Sequence, residues 1–109
     1  MEPKTSELIR VLSQIAALLQ SDGENHWRAW MLKAKASLEG SDYSGIEYLL
    51  SAYGGMGSFN DLILGQTMEN SAFAWKQGYV ELNEKLDALR GEAWQLAQAI
   101  KRNHEIQDI

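Results

Sequence analysis

From about Thr5 to Gln20 the apolar positions Leu8, Leu12, Ile15 and Leu19 recur at helical spacing, with Ile9, Val11, Ala16 and Leu18 widening the stripe. This pattern predicts an amphipathic helix with a broad buried face. Ser21-Asp22-Gly23 breaks it, and Ser21 with Glu24 has the spacing of a capping box for the next helix. That second helix is expected from about Asp22 or Gly23 to Glu39, with Trp27, Trp30, Met31, Ala34 and Leu38 on one face and Arg28, Lys33, Lys35 and Glu39 outward. Two tryptophans one turn apart could form a binding platform, but at this period they read as core. Gly40 suits a helix C-terminus. Ser44 and Glu47 repeat the capping-box spacing and open a short third helix that runs to about Tyr53, buries Ile46, Leu49, Leu50 and Tyr53, and stops at Gly54-Gly55.

Beyond an irregular segment, Gly65 to Asn70 reads as a linker, and a long final helix is expected from about Ser71 to Arg102. Its seam is Trp75, Tyr79, Leu82, Leu86, Leu89, Ala93, Leu96 and Ile100, alternating steps of four and three as in heptads. Such a helix would be about 45 Å long. Gly78 and Gly91 mark places where it could bend. The seam fits either a bundle helix packed along two antiparallel partners or a homodimer through the C-terminal helix, and Trp94, off the seam, suits both. The expected fold is all-α: one domain over residues 1–109, a bundle of four main helices with a Gly-rich irregular segment before the last.

Composition adds limits. The chain of 109 residues can bury a core without staples, and its 45% hydrophobic and 23% charged residues are ordinary for a globular domain. One proline and no cysteine favour helices and exclude disulfides, a thiol nucleophile and thiolate metal sites. The first residues lack the pattern of a signal peptide and no apolar run approaches a membrane span, so a cytoplasmic protein is expected. Net charge is −5, which argues against nucleic acid as a partner. Between Lys35 and Lys76 there is no Lys or Arg, while Glu39, Asp42, Glu47, Asp61 and Glu69 all fall inside. An acidic stretch aids solubility; it also suits a basic protein partner.

The candidate site is the irregular segment, which holds three glycines within four positions. Tyr53, Gly54, Gly55, Met56, Gly57, Ser58, Phe59, Asn60 and Asp61, with Glu47 on the preceding helix, are its candidate binding residues. A phosphate loop would need a Lys after its last glycine and a strand before it; here Ser58 follows Gly57 and the preceding element is helical, so no nucleotide is expected. Ser58 is instead placed to cap a turn beginning at Phe59 with Asp61 at its third position. On a purely structural reading the glycines permit a tight reversal while Met56, Phe59, Leu62 and Ile63 plug the end of the bundle. His26 and His104 have no ligand-spaced partners and no serine sits in a nucleophile elbow, so neither metal, cofactor nor enzymatic activity is expected.

Leu49-Leu50 followed by Tyr53-Gly54-Gly55-Met56-Gly57-Ser58-Phe59-Asn60-Asp61-Leu62 resembles the core signature of a family of small bacterial proteins without an assigned function. His26-Trp27, Gly45-Ile46, Leu82-Asn83-Glu84 and Ala93-Trp94-Gln95-Leu96-Ala97 are similar too. The resemblance implies a bacterial cytosolic protein with a helical fold and brings no activity with it. Small acidic helical proteins of this kind resemble immunity proteins that neutralise bacterial toxins. The leading expectation is therefore a non-enzymatic, toxin-neutralising (immunity-like) binding protein with an acidic face. The alternative is a small-molecule-binding or regulatory domain whose pocket is lined by Tyr53, Met56, Phe59 and Trp27 or Trp30.

Overall fold

The computed structural model describes residues 2–54 and 57–107. The candidate residues Gly55 and Met56 lie outside the described residues.

Helix α1 spans Pro3–Ser21; Glu2 caps it by accepting from the Lys4 and Thr5 amides, and proline stands in its first turn, where a missing N–H costs nothing. Its stripe is buried at Leu8, Val11, Leu12, Ile15, Ala16 and Leu19, as the periodicity predicts. Helix α2 spans Asn25–Glu39 and begins later than the expected Asp22 or Gly23. The capping box at Ser21 does not form. Ser21 Oγ donates back to the Leu18 carbonyl at 2.6 Å, and Glu24 is itself the cap, accepting from the Trp27 amide at 2.9 Å. Met31, Ala34 and Leu38 are buried, whereas Trp27 and Trp30 are half-buried. Both tryptophans are packed rather than presented: Trp30 stacks on Tyr48 at 4.6 Å and donates to the Tyr48 carbonyl at 3.1 Å, and Trp27 lies 5.4 Å from Phe59.

Helix α3 is short, Ser44–Leu50, and ends before the glycines, with Ser51 as C-cap. Its start is set by Asp42, not by a Ser44–Glu47 box: Asp42 accepts from the Ser44 amide at 3.0 Å. The Ser44 hydroxyl, and then its amide, hold the Asp42 carboxyl below the usual carboxylate range. Gly45 lets α3 lie directly on α2, because a Cβ there would meet Ser37 Cβ at 2.9 Å and the Ala34 carbonyl oxygen at 3.1 Å.

The expected helix from Ser71 is corrected. Residues 66 to 75 form an antiparallel hairpin of β1 (Gln66–Glu69) and β2 (Ala72–Trp75), paired from Gln66 with Trp75 to Glu69 with Ala72. Asn70 and Ser71 make the two-residue turn, both at positive φ (50° and 66°) as the twist of a hairpin requires. Thr67, Phe73 and Trp75 favour a strand, and Trp75 matched the heptad seam only by its distance from Tyr79. The last helix, α4, therefore spans Tyr79–Gln107. Its 29 residues make it about 43 Å long. It runs unbroken through Gly91, and buries Leu86, Leu89, Ala93 and Ala97 with Leu82, Leu96 and Ile100 half-buried beside them.

The core lies where α1, α2 and α4 meet, with α3 bridging α2 and α4. The α1 C-terminus meets the chain just before α4, and Thr5 lies beside Ile100, so α1 and α4 run antiparallel. The architecture is thus four helices with one small sheet, approximately the expected all-α fold. Among the described residues no helix is long and apolar enough to cross a membrane.

Candidate functional site

The Gly-rich segment turns on one buried ring. Phe59 is wholly buried, meets Tyr53 edge-on at 5.6 Å, and its amide donates to the Ala52 carbonyl at 2.9 Å. Ser58 caps the single 3₁₀ turn Phe59–Asp61, its hydroxyl accepting from the Asn60 amide at 3.3 Å. Asp61 accepts from the Gly57 amide at 2.9 Å, and Gly57 holds φ at +76°, a conformation that favours glycine. Much of the signature's polarity therefore closes its own loop. Phe59 plugs the bundle as the structural reading expects; Leu62 is half-buried, and Ile63 is 54% exposed, contrary to it. Ile63 stands outward while its neighbour Leu64 is buried.

Three side chains that periodicity does not single out hold this segment to the helices. Asn83 donates to the Leu64 carbonyl at 2.9 Å and accepts from the Leu64 amide at 2.8 Å, so its amide group pairs both backbone groups as a neighbouring strand would. Arg90 donates to the Phe59 carbonyl at 2.7 Å and the Leu62 carbonyl at 3.0 Å, and also meets the Asp87 carboxylate. Asp22 accepts from the Gly65 amide at 3.1 Å and from Lys76 Nζ at 2.9 Å, and so ties the hairpin base to the end of α1. Tyr53 completes the set by donating to the Arg90 carbonyl at 2.8 Å. Burial pushes the Tyr53 phenol well above its ordinary value, against a smaller opposing effect of the Arg90 charge. In the sequence Asn83 and Arg90 show only as polar residues inside a helical pattern and Asp22 as part of a break between helices, which does not name their partners.

The structure divides the expected site. Tyr53 and Asn60 line an open groove of about 470 Å³ together with Asp87, Arg90, Gly91 and Trp94. Gly57, Ser58 and Asp61 line a different, shallow cleft of about 300 Å³ beside Trp27. Phe59 is buried and, like Glu47, which sits exposed on α3, lines neither. Of the residues expected to line a pocket, Trp27 lies tilted 5.3 Å from Trp30 and 5.4 Å from Phe59, and Tyr53 meets Phe59 edge-on at 5.6 Å, while Met56 lies outside the described residues.

A different surface is more open. Paired residues of the hairpin share a face, so Met68, Phe73 and Trp75 stand together on one side while Thr67 and Ala74 occupy the other. The first side is the outward one, with Met68 65% and Phe73 56% exposed. Phe73 meets Trp75 edge-on at 5.1 Å, and Trp75 stacks on Tyr79 at 4.6 Å. Ile63 and Val80 extend this apolar area toward Glu84 and Asp87 in a further groove of about 440 Å³. Among the described residues no three His, Cys, Asp or Glu side chains are grouped to hold a metal ion. His26 packs edge-on against Trp27 at 4.7 Å.

Residues 20–71 match the model of a family described as a domain of unknown function (DUF6966). The matched span covers α2, α3, the Gly-rich segment and β1, and ends at the hairpin turn. This agrees with the resemblance to a family of unassigned function. Neither a curated protein nor a solved structure matches the chain.

Proposed function

We propose that the chain is a non-enzymatic protein-binding module, of the toxin-neutralising (immunity-like) kind, that takes a basic protein partner on its acidic side. The observation that carries this reading is the outward face of the hairpin. Met68, Phe73 and Trp75 form an exposed apolar ladder that continues into Tyr79, Val80 and Ile63. A contiguous apolar area edged by charge marks a surface that associates with another protein, and aromatic residues dominate the energy of such contacts. Glu84 and Asp87 border its continuation on α4. The acids add steering and selectivity toward a cationic surface.

The test is co-purification from the native host with the wild-type chain and with a Phe73→Ser/Trp75→Ser variant. Both side chains point outward, so the variant keeps its helical circular dichroism. A defined basic protein is expected with the wild type and is lost with the variant, and co-expression with that protein relieves its toxicity only for the wild type. A partner retained by the variant, or the absence of any partner and any protection, would sink the reading.

A further inference from the structure

Helix α4 carries two stripes. One is the core seam through Leu82, Leu86, Leu89 and Ala93. On the other side of the helix Val80, Glu84, Asp87, Gly91 and Trp94 follow one another by four, three, four and three, which is heptad spacing again. Val80 is 49% and Trp94 43% exposed, although the outer face of a surface helix is ordinarily polar. Two open grooves flank this stripe, share Asp87 and Arg90, and so join end to end. Asn60, Leu62 and Ile63 form their opposite bank. Gly91 lies at the stripe with nothing within 4 Å of where a Cβ would stand. A glycine inside a helix weakens it, and no neighbour among the described residues requires one there.

We propose that this second stripe is the docking surface for one amphipathic helix of the protein partner, bearing Lys or Arg at its middle and bulky apolar side chains toward both ends. The inference rests on the protein-binding reading above and deepens it. Val80 with Tyr79 and Ile63 makes one apolar end and Trp94 the other. Between them stand Glu84 and Asp87. Glu84 forms no ion pair among the described residues, and the one cation lining the groove, Arg90, already donates to two carbonyls and to Asp87. With Asp87 paired to Arg90, the uncompensated charge in the middle of the stripe is that of Glu84, and the stripe is acidic there. Gly91 leaves a hole of the kind that receives a large side chain from a helix packed at a shallow angle. From Val80 to Trp94 is about 21 Å, the length of a helix of about 14 residues. A second copy of this chain fits less well, since a parallel pairing sets Glu84 on Glu84 and an antiparallel one sets Asp87 on Asp87.

The full chain, labelled with ¹⁵N, is titrated with a helix-stabilised synthetic peptide of about 16 residues bearing Leu and Trp at its ends and Lys and Arg in the middle. A second peptide carries Glu in the middle instead. The cationic peptide is expected to saturate, with amide shifts concentrated at residues 60–63 and 80–95. Glu84→Lys and Gly91→Leu are each expected to weaken it at least about tenfold. Neither touches the core, and thermal unfolding of each variant verifies this. Glu84→Lys should in turn accept the Glu-centred peptide, a charge rescue that a merely structural role would not produce. Absence of saturation, or binding unchanged in both variants, overturns the proposal. Shifts confined to Met68, Phe73 and Trp75 overturn the stripe but leave the protein-binding reading standing, which the co-purification assay decides independently. Light scattering that shows a dimer broken by Trp94→Glu places a second copy there and overturns it as well.

Discussion

Asn83 lies in the first turns of α4, where its side-chain amide reaches the backbone of Leu64, nineteen residues earlier, from both sides. Leu64 is buried, so its amide and carbonyl have no water to turn to if that partner is lost. Asn83→Ala is expected to destabilise the fold by about 1–3 kcal/mol, the cost of leaving buried backbone groups unpaired, measured by urea unfolding. Tyr53 gives a pH dependence whose sign is set by burial. Its phenol holds the proton more tightly in the folded chain than the ordinary value of about 10. Its contribution is therefore complete below about pH 10 and is lost as pH rises beyond that value. Wild-type stability should fall more steeply above pH 10 than that of Tyr53→Phe; parallel curves would refute the assignment.

At the scale of elements, the helices were legible and the hairpin was not. A buried stripe of four or five turns leaves a periodic record, so α1 and the core seam of α4 could be read directly. Each strand of the hairpin has only four residues and one largely apolar face open to solvent, so neither leaves the alternation that burial imposes. Such a short ribbon is marginal alone and depends on its base. Asp22 supplies that base through Gly65 and Lys76. Asp22→Ala should accelerate amide exchange across residues 66–75 while leaving exchange in α1 and α2 little changed. A uniform loss of protection would show instead that hairpin and helices open together. The capping boxes failed for a related reason: acidic residues next to the helix starts, Glu24 and Asp42, already supply the acceptor that each first turn needs.

The whole molecule is long rather than round, with extents of 58 × 25 × 20 Å. Its Cα radius of gyration is 15.3 Å, against about 13 Å for a compact domain of this length. The excess comes from α4, which outruns the 19-residue α1, and from the hairpin at the opposite end from the α4 C-terminus. Small-angle scattering at low concentration should return a radius near that of one chain. A markedly larger value that falls on dilution would show that two copies share a surface.

Periodicity and composition alone establish a helical chain with a core seam on its last helix and a capped apolar turn after the glycines, because burial of a helix face and capping are local and repeat within a few residues. They also show the base-free acidic stretch, since charge needs no fold to be counted. The tertiary structure decided which polar side chains hold the loop: Asp22 reaches Gly65, Asn83 reaches Leu64, and Arg90 reaches Phe59, across 43, 19 and 31 residues. It also divided the Gly-rich segment between two clefts and turned Phe73 and Trp75 outward. Contacts so distant along the chain leave no periodic trace, and a solvent-facing aromatic looks in sequence like a buried one.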